Sequence, residues 1–358
     1  MREIPIADVE ALLEGHVDVR RRPGAVQPLR LPFAEAPFFD PFNRWVASTA
    51  AGVRLRFRTD ARTVRLTATQ HLAATAVGGE RRGAYDLFVD GKPFARAWGE
   101  GGALMAPTGG LTGDPALTVG FEGLPADDKL VELWLPQAAT VSITGLRIDD
   151  GASLAPAPDE RSRIVFHGSS ITHDMEAEGA AATWPAVASN LAGVNHLNLG
   201  WGGSCLLSGQ AARIIRDQSA DAIVLKLGIN VHPEGQMKER VFADSAHAMI
   251  SIIREKHPAT PTVVISPIFS AARDEAGSAG GPSLARMREI LGEVVAARLA
   301  AGDTAIRYLS GLELFGPADA HLLPDDLHPN TEGYRLMGER FYQKVLCSLL
   351  PSREKVSA

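Results

Sequence analysis

Only two cysteines, Cys205 and Cys347, occur in the 358 residues. Two thiols cannot build a disulfide framework, and a reduced, cytoplasmic setting is the expectation. No apolar run approaches the roughly 20 residues needed to span a bilayer. The opening MREIPIADVEALLEG has no apolar core of the secretory kind and carries acids early. An excess of positive charge is missing too. The net charge of -6 argues, though only weakly, against nucleic acid or anionic membrane as a main partner, because neither would be attracted to such a chain. The basic run Arg20-Arg21-Arg22 reads as solvated surface. What remains, 45% hydrophobic and 22% charged residues, is the composition of a globular protein long enough for two domains.

The two halves follow different patterns. From about Val53 to Asp150, apolar residues alternate with polar ones. Val53, Leu55 and Phe57 are interleaved with Arg54, Arg56 and Arg58, as in a half-buried strand. Asp90-Gly91 is a hairpin turn signal after Tyr85 to Val89. In VSITGLRID the alternation slips at Gly145, which predicts a bulge. Residues 1–150 are therefore expected to form an antiparallel β-sandwich or jelly-roll domain. A small, Pro-containing stretch, 151–162, reads as a linker. From 163 to 350, strand-like runs alternate with helical ones: RIVFHG, TWPAVASNLAG, VNHLNLG, DAIVLKLG, then a long amphipathic segment over Glu239 to Lys256. Thr183 is placed to cap a helix that Gly193 ends. This alternation predicts an α/β unit with a parallel sheet covered on both faces, followed by a tail at 351–358.

Ligands of such sheets bind at the carboxyl ends of the strands. Four groups fall there: Gly168-Ser169-Ser170-Ile171-Thr172, Asn198 to Gly203, Gly228-Ile229-Asn230, and Asp325-Asp326-Leu327-His328. Each is a weak signal alone, but their order is informative. The set resembles the SGNH (GDSL-type) hydrolase superfamily, whose four blocks contribute Ser, Gly, Asn and His in that order, over about residues 163 to 346. The resemblance implies a flavodoxin-like doubly wound sheet. It puts the nucleophile on Ser170, oxyanion-hole donors on Gly203 and Asn230, and the Asp-x-x-His block on Asp325 and His328. Gly83-Ala84-Tyr85-Asp86-Leu87-Phe88 resembles the Gly/Asp-Leu-Tyr signature of the β-domain in one branch of these esterases, with Phe88 in place of Tyr. Two positions depart from the pattern. Ser169 stands where Asp usually precedes the nucleophile, and Val231 follows Asn230 where a second Asp is common. Neither change removes a group that makes or breaks a bond.

The chemistry of these residue types supports the same roles. A serine hydroxyl needs a base to take its proton. Asp325, three residues before His328, can accept from one ring nitrogen and fix the tautomer; Asp326 is its rival. The Ser170 N–H, the Gly203 N–H and the Asn230 amide would together stabilise an oxyanion. Other residues keep two readings. Trp201 and His173 either line the substrate site or are, respectively, core and solvated helix start. The 270–283 loop is a lid or a disordered segment. His167 reads as packed, and Cys205 as a small buried hydrophobe. A metal site from His167, His173, Asp325 and His328 lacks a compact ligand motif, so neither metal nor other cofactor is expected. The machinery implies a serine esterase acting on short, acetyl-like acyl esters of a carbohydrate or other polyhydroxylated small molecule. An acyltransferase using the same acyl-enzyme is the alternative, and a non-catalytic carbohydrate-binding protein the alternative of another class. Beyond the substrate, a second copy of the chain is the one partner considered.

Overall fold

A computed structural model describes residues 1–73, 83–105, 110–233 and 236–349. The tail at 351–358 lies outside the described residues. The chain divides into two units, Met1–Glu160 with Glu178–Ala181, and Arg161–Ala177 with Ala182–Ala358.

The first unit contains a nine-stranded and a six-stranded sheet, antiparallel in nearly every pairing. Leu55 and Phe57, fully buried, alternate with the more exposed Arg56 and Arg58, as the period of two requires. Arg54 departs from this pattern. It is buried, with its guanidinium 2.7 Å from Asp159 and 3.3 Å from Glu132 and stacked over the Trp134 ring. Burial is tolerated because both carboxylates and an aromatic face replace its water. The Tyr85 hydroxyl donates to Gln70 Oε1 at 3.0 Å, joining a strand of one sheet to a strand of the other.

The predicted hairpin is present: Val89 pairs with Lys92 across Asp90 (φ 48°) and Gly91 (φ 74°), the left-handed pair that tight hairpins need. The register shifts between Ile143 and Gly145, where the bulge is expected. Residues 1–52 hold elements the sequence pattern does not announce, among them strands Asp18–Arg22 and Ala25–Leu29 and helix Pro41–Ala47. The expected linker also carries structure, since Ala155–Pro156 pairs with strand Arg54–Thr59. Asp86, from the short signature, accepts from Arg96 Nε at 2.6 Å and from the Ala181 N–H at 2.9 Å, while Arg96 pairs with Glu178.

The second unit is built on a five-stranded parallel sheet. Its order is Asn195–Gly200, Arg163–Gly168, Ala222–Lys226, Thr262–Ile265, Ile306–Leu309, the 2-1-3-4-5 order of flavodoxin-like sheets. The three central strands bury both faces and read as largely apolar runs, whereas the edge strands carry Asn195, His196, Asn198, Arg307 and Tyr308. Helices fall into two packed groups. Trp184–Ala192 lies with Thr331–Phe341, and Gly209–Arg216 with Glu239–Arg254 and Leu284–Ala300. Thr183 caps the helix as predicted and Gly193 ends it at φ 65°. No helix among the described residues is long and apolar enough to cross a membrane.

Candidate functional site

The parallel register sets the site. Gly168 is level with Gly200 on one side and Lys226 on the other, so three strands end in one row. The segments that follow carry Ser170, Trp201-Gly202-Gly203 and Asn230. Directly after the first strand, Ser169 caps a four-residue helix, Ser170–His173, by accepting from the Ile171 N–H. Serine here performs the capping that an aspartate could also supply. Ser170 is half-buried at the first helical position, where a backbone N–H has no intrahelical acceptor.

The turn is braced from behind. Asn198 Nδ2 donates to the Thr172 carbonyl at 2.9 Å, and its Oδ1 accepts from the Gly200 N–H at 2.8 Å. A Cβ on Gly200 would lie 2.1 Å from His173 N, so only glycine allows this approach. Trp184 Nε1 donates to the Ile171 carbonyl at 2.9 Å. Asp174, buried at the helix end, accepts from the Trp184 N–H at 2.8 Å, and burial pushes its carboxyl well above the ordinary range. The sequence reading has Asn198 only as the first residue of a strand-end group and Asp174 only as a site-lining or solvated neighbour of His173; the bracing role of each, and the burial of Asp174, were missed. Strand Asn195–Gly200 also carries Asn195 and His196, so its polar residues did not single Asn198 out.

Ser170 Oγ lies 2.8 Å from His328 Nε2, and His328 Nδ1 lies 2.7 Å from Asp325 Oδ2. The other oxygen of Asp325 accepts from the backbone N–H of Leu327 and of His328. Burial alone would raise this carboxyl. The His328 ring and those N–H groups outweigh it and hold Asp325 below its usual range. With Nδ1–H donating to a carboxylate, Nε2 is left to accept the serine proton. The rival Asp326 points elsewhere. At φ 58° it accepts from the Ala271 and Ala272 N–H groups and the Ser270 hydroxyl, and pairs with Arg273. Asp326 therefore anchors the 270–283 loop, which Arg288–Asp274 and His232 on the Ala276 carbonyl also tether.

On the remaining side, Asn230 Oδ1 accepts from the Cys205 N–H at 3.1 Å. An N–H must meet the amide oxygen, so this bond fixes the amide orientation and leaves Nδ2 available as a donor. A Cβ on Gly202 would lie 3.5 Å from Ser170 Cβ, which sets the glycine turn against the nucleophile, and Gly203 completes that turn at φ 71°. His173 is fully buried, not a solvated helix start, because its backbone backs onto Gly200. Trp201 is 2% exposed and edge-on to His167 at 5.5 Å, the core arrangement. Burial pushes the Cys205 thiol up to about 12, which keeps it un-ionised. Among the described residues, no group of three His, Cys, Asp or Glu side chains is arranged to hold a metal ion.

The arrangement is a hydroxyl, an imidazole and a carboxylate in series, beside an amide donor and a glycine turn. Such a set can form and break an acyl–oxygen bond. Comparisons with known proteins agree. Residues 161–346 match the GDSL-like Lipase/Acylhydrolase family, and residues 12–144 match the SsfX3 N-terminal domain. No match is found among curated proteins. Among solved structures, the salicylyl-acyltransferase SsfX3 from a tetracycline biosynthetic pathway is 27% identical with a TM-score of 0.85, covering 97% of each chain. A protein from Bacteroides ovatus described as a GDSL-like lipase is 19% identical with a TM-score of 0.76, covering 96% of each chain. A family two carbohydrate esterase from Clostridium thermocellum is 18% identical with a TM-score of 0.63, covering 92% of this chain and 99% of its own.

Proposed function

The chain belongs to the GDSL-like lipase/acylhydrolase family, and from that premise we propose that it is a serine esterase cleaving short-chain acyl esters through a Ser170 acyl-enzyme. One observation carries the reading: the unbroken series Ser170 Oγ, His328, Asp325, with links of 2.8 and 2.7 Å. His328 Nε2 takes the hydroxyl proton as Oγ attacks the acyl carbon, and later gives it to the departing alcohol. Asp325 stabilises the imidazolium in between. Charge on the former carbonyl oxygen is met by the Ser170 and Gly203 N–H groups and by Asn230 Nδ2, a reading supported by the Cys205 N–H bond that turns the Asn230 amide. Water then enters by the same route and releases the acid.

The carbohydrate esterases among the structural relatives support a sugar or other polyhydroxylated alcohol as the esterified partner. A second reading is favoured by SsfX3, an acyltransferase 27% identical over 97% of both chains: the same acyl-enzyme passes its group to an alcohol instead of water.

The test is purified protein with p-nitrophenyl acetate and octanoate, beside Ser170→Ala and His328→Ala. Acetate is expected to be the better substrate, and each variant to lose on the order of 10⁴–10⁶ in kcat. Full activity in Ser170→Ala sinks the assignment. Adding alcohols and measuring the ratio of new ester to free acid separates hydrolysis from transfer.

A further inference from the structure

A cavity of about 460 Å³ is formed wholly within the first unit, on the face of the nine-stranded sheet opposite its buried side. That volume suits a small molecule. Its floor comes from four neighbouring strands through residues that alternate with core positions. Thr69 and His71 stand on one strand, facing Ser142 and Thr140 on the next, and Gln27 and Arg20 are paired on the other two. The wall is the segment after these last strands, with Phe33, Arg44 and Trp45.

The strand period explains the basic run near the start of the chain. Arg21 points to the other face, where its side chain pairs with Glu10, while Arg20 and Arg22 both line the cavity. Arg21 and Arg22 are exposed, as a solvated run requires, and Arg20 and Arg22 in addition border this cavity. With Arg44, three arginines border one concavity of a chain whose net charge is -6, Arg22 and Arg44 on its exposed rim. No lining residue is acidic, and no carboxylate pairs with Arg20, Arg22 or Arg44 among the described residues. Asp18, next on the same strand face, is taken up by the N–H groups of Val19 and Phe33. Arg20 Nε and Trp45 Nε1 are shielded from solvent with no acceptor.

Uncompensated arginines that converge in a hollow call for an anion, and the planar guanidinium fork fits a carboxylate. The remaining lining narrows the ligand. The Thr and Ser hydroxyls both donate and accept, so beside an oxyanion they can also serve hydroxyl groups, while Gln27, its Oε1 accepting from Arg20, offers its amide N–H. Burial lowers the His71 imidazole below its ordinary value, so it keeps an accepting nitrogen near neutral pH. Phe33 and Trp45 offer flat apolar faces for the C–H side of a ring.

We propose that this cavity is a second binding site, for a sugar acid: a polyhydroxylated ring bearing a carboxylate. The proposal does not rest on the reading of Ser170. It is tested on the full chain by calorimetric titration at 0.15 M salt with D-galacturonate, D-glucose and inorganic phosphate. Galacturonate is expected to bind, with glucose and phosphate at least tenfold weaker. The Arg22→Ala/Arg44→Ala double variant is expected to weaken galacturonate at least tenfold while p-nitrophenyl acetate turnover stays unchanged. Trp45→Phe, whose smaller ring keeps the fold, is expected to abolish the fluorescence change on binding. No galacturonate binding, equal binding of glucose or phosphate, or full binding by the double variant overturns the proposal.

Discussion

The two units bury polar groups to opposite ends. In the first, buried cations are used up internally. Arg54 meets Asp159 and Glu132, Arg30 donates to the Val46 and Thr49 carbonyls, and Lys129 to those of Thr59 and Ala61. In the second, buried polar groups brace a turn whose last member, the Ser170 hydroxyl, is left to react. Topology accounts for the difference. Parallel strands end together, so the loops beyond Gly168, Gly200 and Lys226 meet in one place. Antiparallel strands end alternately at both edges, and the concave site of the first unit lies instead on a sheet face between alternate side chains.

The sharpest way to break this contrast lies within the second unit, between adjacent carboxylates. Asp325→Asn leaves the shape but reverses the hydrogen bond to His328, and a kcat loss of about 10⁴ is expected on p-nitrophenyl acetate. Asp326→Asn, in contact with the 270–273 backbone and not with His328, is expected to keep kcat within about tenfold; if the two losses are alike, the geometric assignment is wrong. The next largest effect is on stability in the first unit. Arg54→Ala removes the buried partner of Asp159 and one of the two guanidinium groups beside Glu132, Arg56 being the other, and is expected to cost about 3 kcal/mol in urea unfolding. Turnover per folded molecule is expected to be unchanged. A loss below about 1 kcal/mol would show that Arg56, 3.3 Å from Glu132 and 4.0 Å from Asp159, takes over the pairing. Smaller again is Asn230→Ala, which removes one oriented donor and is expected to cost about 10²–10³ in kcat with KM little changed. An effect on KM alone would place Asn230 in ground-state binding.

Legibility followed the same division. Where one local rule decides, residues were enough: Asp90-Gly91 for the hairpin, Gly145 for the bulge, Thr183 and Gly193 for a helix's ends. The spacing from Asp325 to His328 also placed both groups on one turn. What stayed hidden depends on long-range neighbours. The resemblance already chose Asp325 over Asp326, but the physical reason needs the 270–273 backbone, which captures the latter. The burial of His173 needs Gly200 behind it. That Arg20 and the exposed Arg22 border one concavity shows only once strand Asp18–Arg22 is paired with Ala25–Leu29 and the 33–48 segment lies beside one face. The alternation that called Leu55 and Phe57 buried could not exempt Arg54, because its partner Asp159 is far along the chain.

The smallest expected effect concerns pH and a carboxylate of the second unit outside the site. Asp319 is mostly buried and pairs with both terminal nitrogens of Arg340. Burial would raise its pKa, but Arg340 and the Gly316 N–H outweigh burial and hold it below the ordinary carboxylate value. The unfolded chain therefore takes up this proton at a higher pH than the native one. The stability it adds is complete above the unfolded value and drains away as pH falls through the depressed native value. Comparing urea unfolding at neutral and acidic pH, Asp319→Asn is expected to lie below the parent at neutral pH and to converge on it in acid. A gap that stays constant would mean that packing, not charge, is what the aspartate contributes, which would bring this pair closer to the purely structural ion pairs of the first unit.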